Sequence, residues 1–381
     1  MNNSPSGAGR IRVALLYGGR SGEHEISLRS AASVMRNLDP ERFEIIPVGI
    51  DRDGTWHLND PDLLRQEDAE SLRVITGGVP VALPPYNRDG GTALMPLAGG
   101  MHRGIDVVFP VMHGPLCEDG AIQGLCELAD VPYVGCGVLA SAVGMDKDVA
   151  KRLVAAAGLP IVPYLALKHG KWGSERGRDD GESLSAWVGE HLGYPAFVKP
   201  ANMGSSVGIH KVNSPGELAP ALDDAFRYDR KVLIERGVDA REIEFALLEQ
   251  DAPDGEPLVS VAGEIAPSHE FYSYEAKYLD ENGAALIIPA ALTDEQAATG
   301  AELARRIFLC LECEGMARVD LFLDRASNSF YFNEVNTLPG FTAISMYPKL
   351  WEASGISYRD LLTRLIELAL ARHGRSSALV R

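Results

Sequence analysis

Residues 315–340 read GMARVDLFLDRASNSFYFNEVNTLPG, and the rest of the chain is organised around them. MARVDLFL alternates apolar and polar side chains as a half-buried strand does, ASN makes a turn, and SFYFNEVN returns as a second strand. Side chains repeat every two residues along a strand, so Arg318 and Asp320 share one face, as do Glu334 and Asn336. The end of a rigid ribbon thus gathers two carboxylates, one amide and one guanidinium. Such hard oxygen donors suit Mg²⁺, which takes few protein ligands and completes its shell with water or phosphates. A lone DxxxE pair would be a surface salt bridge. RVD, EVN and TLPG together are too dense in polar residues within strand context for that, and the hairpin reads as a magnesium–phosphate site.

Two glycine loops lie upstream. AFVKP ends a strand at Lys199, and KPANMGSSVG follows, with amides freed by Gly204 and Gly208 and donors added by Ser205 and Ser206. That composition suits a loop folding over phosphates. It is not GxxxxGK[ST], so the ordinary P-loop folds match poorly. Beyond it, Glu235 ends the apolar strand KVLIE and Glu242 lies seven residues on; this pair can accept from an adenine amino group and a ribose hydroxyl. The earlier loop, GGRSGEHE after the first strand, lacks the GxGxxG spacing of a nicotinamide-dependent dehydrogenase. Glu23 and Glu25 would repel a phosphate there. One of them can stabilise the helix dipole, and the pair beside a double glycine points to a substrate ammonium.

The chain opens as β-loop-α-β, with a strand at 11–17, a helical face through Leu28, Ala31, Ala32, Met35 and Leu38, and a second strand at 43–50. This is the start of a parallel doubly wound sheet. Residues 56–100 read as an insertion without chemistry, with RVITGGVPVAL as a hairpin. A strand at 105–111 leads into HGPLCEDG, a helix to Ala129 and a short strand at 132–134. MDKDVAKRLVAAAG is helical and begins a second domain. Residues 168–183 are polar and glycine-rich and read as a mobile surface loop. REIEFALLEQ and PLVSVAGEI read as two long strands of a third domain, and 294–310 and 358–371 as amphipathic helices.

Composition excludes several classes. Lys and Arg total 36 against 53 acidic residues, a net charge of −17, whereas nucleic acid and anionic membrane both need clustered positive charge. No apolar run approaches a membrane span, and MNNSPSGAGR lacks a signal-peptide core, so a soluble cytoplasmic protein is expected. Five cysteines in a chain of 381 residues fit reduced thiols. The Cys310–Cys313 CxxC lies in a helical pattern without a second pair and reads as ordinary buried residues.

Strand-end lysine, glycine-rich loop, strand-end glutamate and late RVD…EVN hairpin together resemble the ATP-grasp ligases, and more narrowly the D-alanine–D-alanine ligase family. GGRSGEHEISL is similar to that family's first signature and HGPLCEDGAIQG to its second. KPANMGSSVG, YEAKY and RVD…EVNTLPGFTAIS follow in family order, so the resemblance covers nearly the whole chain. One departure is Cys117, where the pattern HGxxGEDG carries glycine; the loop must manage there without a positive φ.

The resemblance implies an α/β ATP-grasp fold of three domains. These are 1–140 with a Rossmann-like parallel sheet, 141–236 as the central subdomain, and 237–381 with the magnesium site and a lid. It implies ATP-dependent joining of two D-alanines through a D-alanyl phosphate for peptidoglycan synthesis, with D-lactate or D-serine as the alternative second substrate. By position, Lys147, Lys199 and Lys277 would hold phosphates, Glu235 and the backbone through Val238 would meet adenine, and Glu242 the ribose. Asp320, Glu334 and Asn336 would bind two Mg²⁺, with Mn²⁺ as a possible substitute. Glu23 would take the first D-alanine's ammonium with His113 close by. Arg318 and the Gly340 amide would stabilise the oxyanion, and Ser345 would hold the second carboxylate. Glu23, Ser205 and Tyr278 would share one hydrogen-bonded set. HEFYSYEAKYLDENG (269–283) would be the lid, excluding water from the acyl phosphate. A homodimer is implied, with no nucleic-acid or membrane partner.

Overall fold

A computed structural model of the chain describes residues 9–61, 78–85, 92–172, 181–252, 255–267 and 284–379. In chain order its first elements are β1 (Ile11–Gly18), α1 (His24–Asn37), β2 (Phe43–Ile50), β3 (Trp56–Leu58), β4 (Val79–Ala82), β5 (Ala93–Pro96), β6 (Arg103–Gly104), β7 (Val107–Pro110) and α2 (Ala121–Leu128). Then come α3 (Val138–Met145), α4 (Lys147–Ala156), β8 (Tyr164–Lys168), α5 (His169–Trp172), α6 (Gly181–His191), β9 (Ala196–Pro200), β10 (His210–Val212), α7 (Pro215–Ala225), β11 (Lys231–Arg236) and β12 (Ala240–Leu248). The last are β13 (Leu258–Val259), β14 (Gly263–Pro267), β15 (Ala284–Ile287), α8 (Asp294–Cys310), β16 (Met316–Asp324), β17 (Phe330–Asn336), α9 (Met346–Ala353) and α10 (Tyr358–Ser377).

The chain divides into two compact units. The first comprises 1–138, 249–256 and 338–381, the second 139–248 and 257–337. In the first, a sheet of order β6-β5-β4-β3-β2-β1-β7 is built around β1, which pairs in parallel with β2 and β7. Val13 to Tyr17 of β1 are fully buried, as a parallel strand covered on both faces should be. Residues 338–381, expected within the last of three domains, group with the N-terminal segment. The cause is α10, whose Leu361, Leu362, Leu365, Ile366 and Leu368 are buried in a helical stripe while the helix packs on α1 and β7. Residues 56–100, read as an insertion, extend this sheet through the antiparallel strands β3, β4 and β5; residues 73–77 of the expected hairpin lie outside the described residues. The expected strand at 132–134 is only one parallel bridge between Val108 and Tyr133.

The second unit holds two sheets. One is four-stranded and antiparallel, order β10-β9-β11-β8. The other has order β15-β14-β12-β16-β17, with β13 also on β12. Of the segment 168–183, expected as a loop, the described residues 169–172 and 181–183 are helical, in α5 and α6, while 173–180 lie outside the described residues. Trp172 donates to Asp223 and is buried with Val188 of α6 in the core beneath the four-stranded sheet, so tertiary packing overrides polar composition. PLVSVAGEI is not one long strand. The Ser260 hydroxyl accepts from Ala246 N and donates to Val261 O, which interrupts the ladder between β13 and β14. Cys313 is buried as expected, but Cys310 is partly exposed at the end of α8. Among the described residues no helix is long and apolar enough to cross a membrane.

Candidate functional site

In the second unit the hairpin β16–β17 sets Arg318 opposite Asn336 and Asp320 opposite Glu334, with a register irregularity after Asp320. The Arg318 guanidinium grips Asp320 through two bonds of 2.8 Å, and Asn336 Nδ2 donates to Asp320 Oδ2 at 2.9 Å. The four side chains read from the sequence are thus together. Glu244 was not among them. It lies opposite Asp320 on β12, and its Oε2 is 3.0 Å from Arg318 Nε. Its signal was present in REIEF, whose alternation puts Glu242 and Glu244 on one face. Burial opposes charge on Arg318, but Asp320 and Glu244 outweigh it and hold the guanidinium well above its ordinary range.

Beside the hairpin, α4 is started by Asp146, whose side chain accepts from Val149 N. That cap sets Lys147 in the first turn and Lys151 one turn later, on the same face. Lys147 Nζ donates to Met203 O in the glycine-serine loop at 2.8 Å and lies 3.1 Å from Glu334 Oε2. Lys151, also unassigned from the sequence, is 1% exposed. Its Nζ is 2.6 Å from Glu235 Oε1 and donates to Phe332 O at 3.1 Å. Lys199 bonds the other oxygen, Glu235 Oε2. Glu235 is therefore the buried centre of a Lys–Glu–Lys triad rather than a solvated strand-end acid. Burial alone would raise its pKa, but the two ammonium charges outweigh burial and hold the carboxyl below its usual range. Burial pulls Lys151 down, against Glu235 and with the repulsion of Lys199. Lys199, also buried, is held above its usual range by Glu235.

The loop after Lys199 turns through left-handed backbone at Ser205 (φ 50), Ser206 (φ 59) and Gly208 (φ 69). Two consecutive non-glycine residues in that region are uncommon, and such conformations concentrate at ligand clamps. A Cβ at Gly208 would meet Tyr228 at 2.6 Å, so the bend needs glycine. Val238 follows Glu235 on the connection to β12 and lines a small cavity of about 160 Å³ with Val162, Asp239 and Tyr331. Glu242 stands on β12 between Ile265 and Phe322.

The first unit carries another constellation. Glu23 precedes α1, and its carboxylate lies against Gly114, where a Cβ would come 3.2 Å from Oε2. His113 Nε2 is 3.1 Å from Ser30 Oγ, and its Nδ1 is 3.6 Å from Glu118 Oε1. Burial raises Glu118, with the charge of Glu23 adding to it. Burial opposes protonation of His113, yet Glu118 and Glu23 hold its pKa above the ordinary value. Glu118 sits in the quoted HGPLCEDG stretch but had no assigned role. In that turn the left-handed residues are Leu116 and the glycines 114 and 120, so Cys117 manages without a positive φ. Gly340 and Ser345 belong to this unit, with Glu23 and His113, through the segment 338–381. Phe341 N donates to Ser30 Oγ at 3.4 Å, and Ser345 Oγ accepts from Thr342 N at 2.9 Å. Lys277 and Tyr278, with the expected lid, lie outside the described residues.

Two carboxylates and an amide are hard donors, too few for an all-protein cage. Among the described residues no group of three or more His, Cys, Asp or Glu is set to hold a metal. The donor set at Asp320, Glu334 and Asn336 fits Mg²⁺ that shares its shell with water and substrate phosphates.

Comparisons with known proteins identify the family to which the chain is similar. The family model "D-ala D-ala ligase N-terminus" matches residues 12–136 and "D-ala D-ala ligase C-terminus" matches 153–367. The chain is 56% identical over 378 residues to D-alanine–D-alanine ligase A of Bradyrhizobium diazoefficiens, covering 98% of this chain and 99% of that one. Its fold is similar to the D-alanine–D-alanine ligase of Coxiella burnetii, with a TM-score of 0.83, 35% identity and 97% of each chain covered. It is also similar to the VanG D-Ala:D-Ser ligase of Enterococcus faecalis, with a TM-score of 0.80, 34% identity, and 95% and 100% covered.

Proposed function

This chain belongs to the D-alanine–D-alanine ligase family, and from that premise we propose that it joins two D-alanines to D-alanyl-D-alanine at the expense of ATP. The observation that carries the reading is the antiparallel register opposing Asp320 to Glu334 and Arg318 to Asn336, beside lysines from α4 and β9.

A carboxylate is inert to an amine, so the first D-alanine carboxylate oxygen attacks the γ-phosphorus of ATP and ADP leaves. The amine of the second D-alanine then attacks the acyl carbon of the resulting D-alanyl phosphate, and inorganic phosphate departs. Phosphoryl transfer needs positioning and charge neutralisation more than covalent help. Mg²⁺ held by Asp320, Glu334 and Asn336 would offset phosphate charge, and two ions are part of the proposal. Lys147 and Lys199, with Lys277, hold phosphate oxygens. Glu235 and Val238 serve adenine and Glu242 the ribose. Arg318, kept charged by Asp320 and Glu244, stabilises the oxyanion of the tetrahedral intermediate. On the first unit Glu23 receives the substrate ammonium beside His113, while the Gly340 amide and the Ser345 hydroxyl donate to bound substrate. Ser205 and Tyr278 complete the catalytic set.

Three domains are retained in this reading, supported by the two separate sheets of the second unit, with residues 338–381 counted with the first domain. A cytoplasmic homodimer serving peptidoglycan synthesis belongs to it as well. A second reading takes D-serine as the second substrate, drawing on the likeness to a D-Ala:D-Ser ligase, with D-lactate as the other alternative. The test is phosphate release with ATP, Mg²⁺ and D-alanine, run against L-alanine, D-serine and D-lactate. Turnover with D-alanine alone supports the peptide-forming reading, and none with D-alanine rejects it.

A further inference from the structure

The buried triad in the second unit holds two cations and one anion, and its two lysines are not equivalent. Lys151 is 1% exposed, donates to the main-chain oxygen of Phe332 and lies 5.6 Å from the Phe332 ring centroid. Its departure would break that hydrogen bond as well as the ion pair. Lys199 ends β9 at the mouth of the glycine-serine loop, keeps 11% of its side chain exposed, lies 5.8 and 5.6 Å from the ring centroids of Phe197 and Phe322, and bonds no acceptor but Glu235 among its described hydrogen bonds. Summed over Lys151, Lys199 and Glu235 the triad carries one excess positive charge.

We infer that Lys151 is a positioning residue: it is the fixed counter-ion of Glu235 that releases Lys199 to a nucleotide phosphate. The inference rests on the ligase reading, in which Lys199 meets phosphate and Glu235 meets adenine. When Lys199 turns to a phosphate, Glu235 loses one of its two cations. A buried carboxylate left without a partner is strongly unfavourable. Lys151 meets that condition, because it stays on Oε1 whichever way Lys199 points. Without Lys151, Lys199 would become the sole partner of Glu235 and would be held back from phosphate.

This separates two parts of the nucleotide. Lys151→Met should weaken the binding of ATP and ADP by about tenfold or more, a modest share of the penalty for an unpaired buried charge. Adenosine, which has no phosphate for Lys199 to meet, should lose much less. Lys151→Arg, which restores the charge, should recover most of the loss. Without the Glu235 carboxylate nothing holds Lys199 back, so Lys151→Met should cost much less ADP affinity in a Glu235→Gln background than in the wild-type one.

The experiment is titration calorimetry of the full-length chain and these variants with ADP, ATP and adenosine, each checked for folding by circular dichroism. In parallel, the Michaelis constant for ATP should rise while turnover at saturating ATP changes little. Equal weakening of ADP and adenosine, or a Lys151→Met cost that is the same in the Glu235→Gln and wild-type backgrounds, would overturn the inference. If Lys151→Met does not fold, Lys151→Gln, which removes the charge but keeps a donor for Phe332 O, carries the same comparison. Wild-type chain that binds no ATP would overturn the ligase reading together with this one. Wild-type binding with unchanged ADP affinity in folded Lys151→Met would overturn this one alone.

Discussion

Replacing Glu235 with glutamine keeps the side-chain volume but leaves Lys151 and Lys199 buried opposite a neutral amide. In the wild-type chain the carboxylate sits 2.6 Å from Lys151 and bonds Lys199 on its other oxygen. Removing one member of a buried ion pair costs about 3–5 kcal/mol. In a domain of about this size each kcal/mol moves the melting midpoint by ~2–4 °C, so the second unit should melt roughly 6–20 °C lower. The sign of the pH dependence is also set. Glu235 is held below its ordinary range, so it contributes stability above the unfolded glutamate pKa that is lost as pH falls through the lower folded value. The variant lacks that acid-side loss. Its penalty should shrink instead as pH rises towards the lowered pKa of Lys151, because a neutral amine needs no counter-ion. Scanning calorimetry from acid to alkaline pH measures both effects. A midpoint unchanged at neutral pH, or a loss that is constant with pH, would refute the triad.

Three further outcomes are expected under the ligase reading. Glu334→Gln should abolish ligation while the fold is retained; near-normal turnover at ordinary Mg²⁺, measured by ADP formation, would remove the metal assignment. Glu118→Gln should lower the pKa of His113, since Glu118 contributes to holding it up, and should move the pH profile of the D-alanine Michaelis constant to lower pH. An imidazole titration followed by NMR that does not shift would count against the pair. Tyr278→Phe should move product partition towards D-alanyl-D-lactate by roughly tenfold, the worth of about one hydrogen bond to a charged partner. The effect should be greatest at lower pH, where the competing amine is protonated, and an unchanged partition would place specificity elsewhere.

The hairpin at 316–336 was legible because a period of two leaves little freedom in which side chains meet, and Arg318, Asp320 and Asn336 do meet. Lys199 was legible as a strand end, and Lys147 only by position through the family resemblance. Glu244 and Lys151 were not. Each sits in an ordinary alternating or helical pattern, and only the pairing of β12 with β16, or the packing of α4 beside β11 and β17, brings it to the site. The grouping of 338–381 with the N-terminal segment depends on α10 covering β7, a contact between residues far apart in sequence. The helices at the ends of 168–183 were hidden by polar composition, since their stability comes from Trp172 and Val188 in a shared core.

The central claim is that the first D-alanine is activated as an acyl phosphate, and isotope transfer tests it most directly. D-alanine labelled with ¹⁸O in its carboxylate is incubated with the enzyme, ATP and Mg²⁺, and the phosphate and dipeptide are analysed by mass spectrometry. The account predicts one labelled oxygen in the released phosphate for each D-alanyl-D-alanine formed. Phosphate released without label, or dipeptide formed with no transfer of oxygen to phosphate, would contradict it.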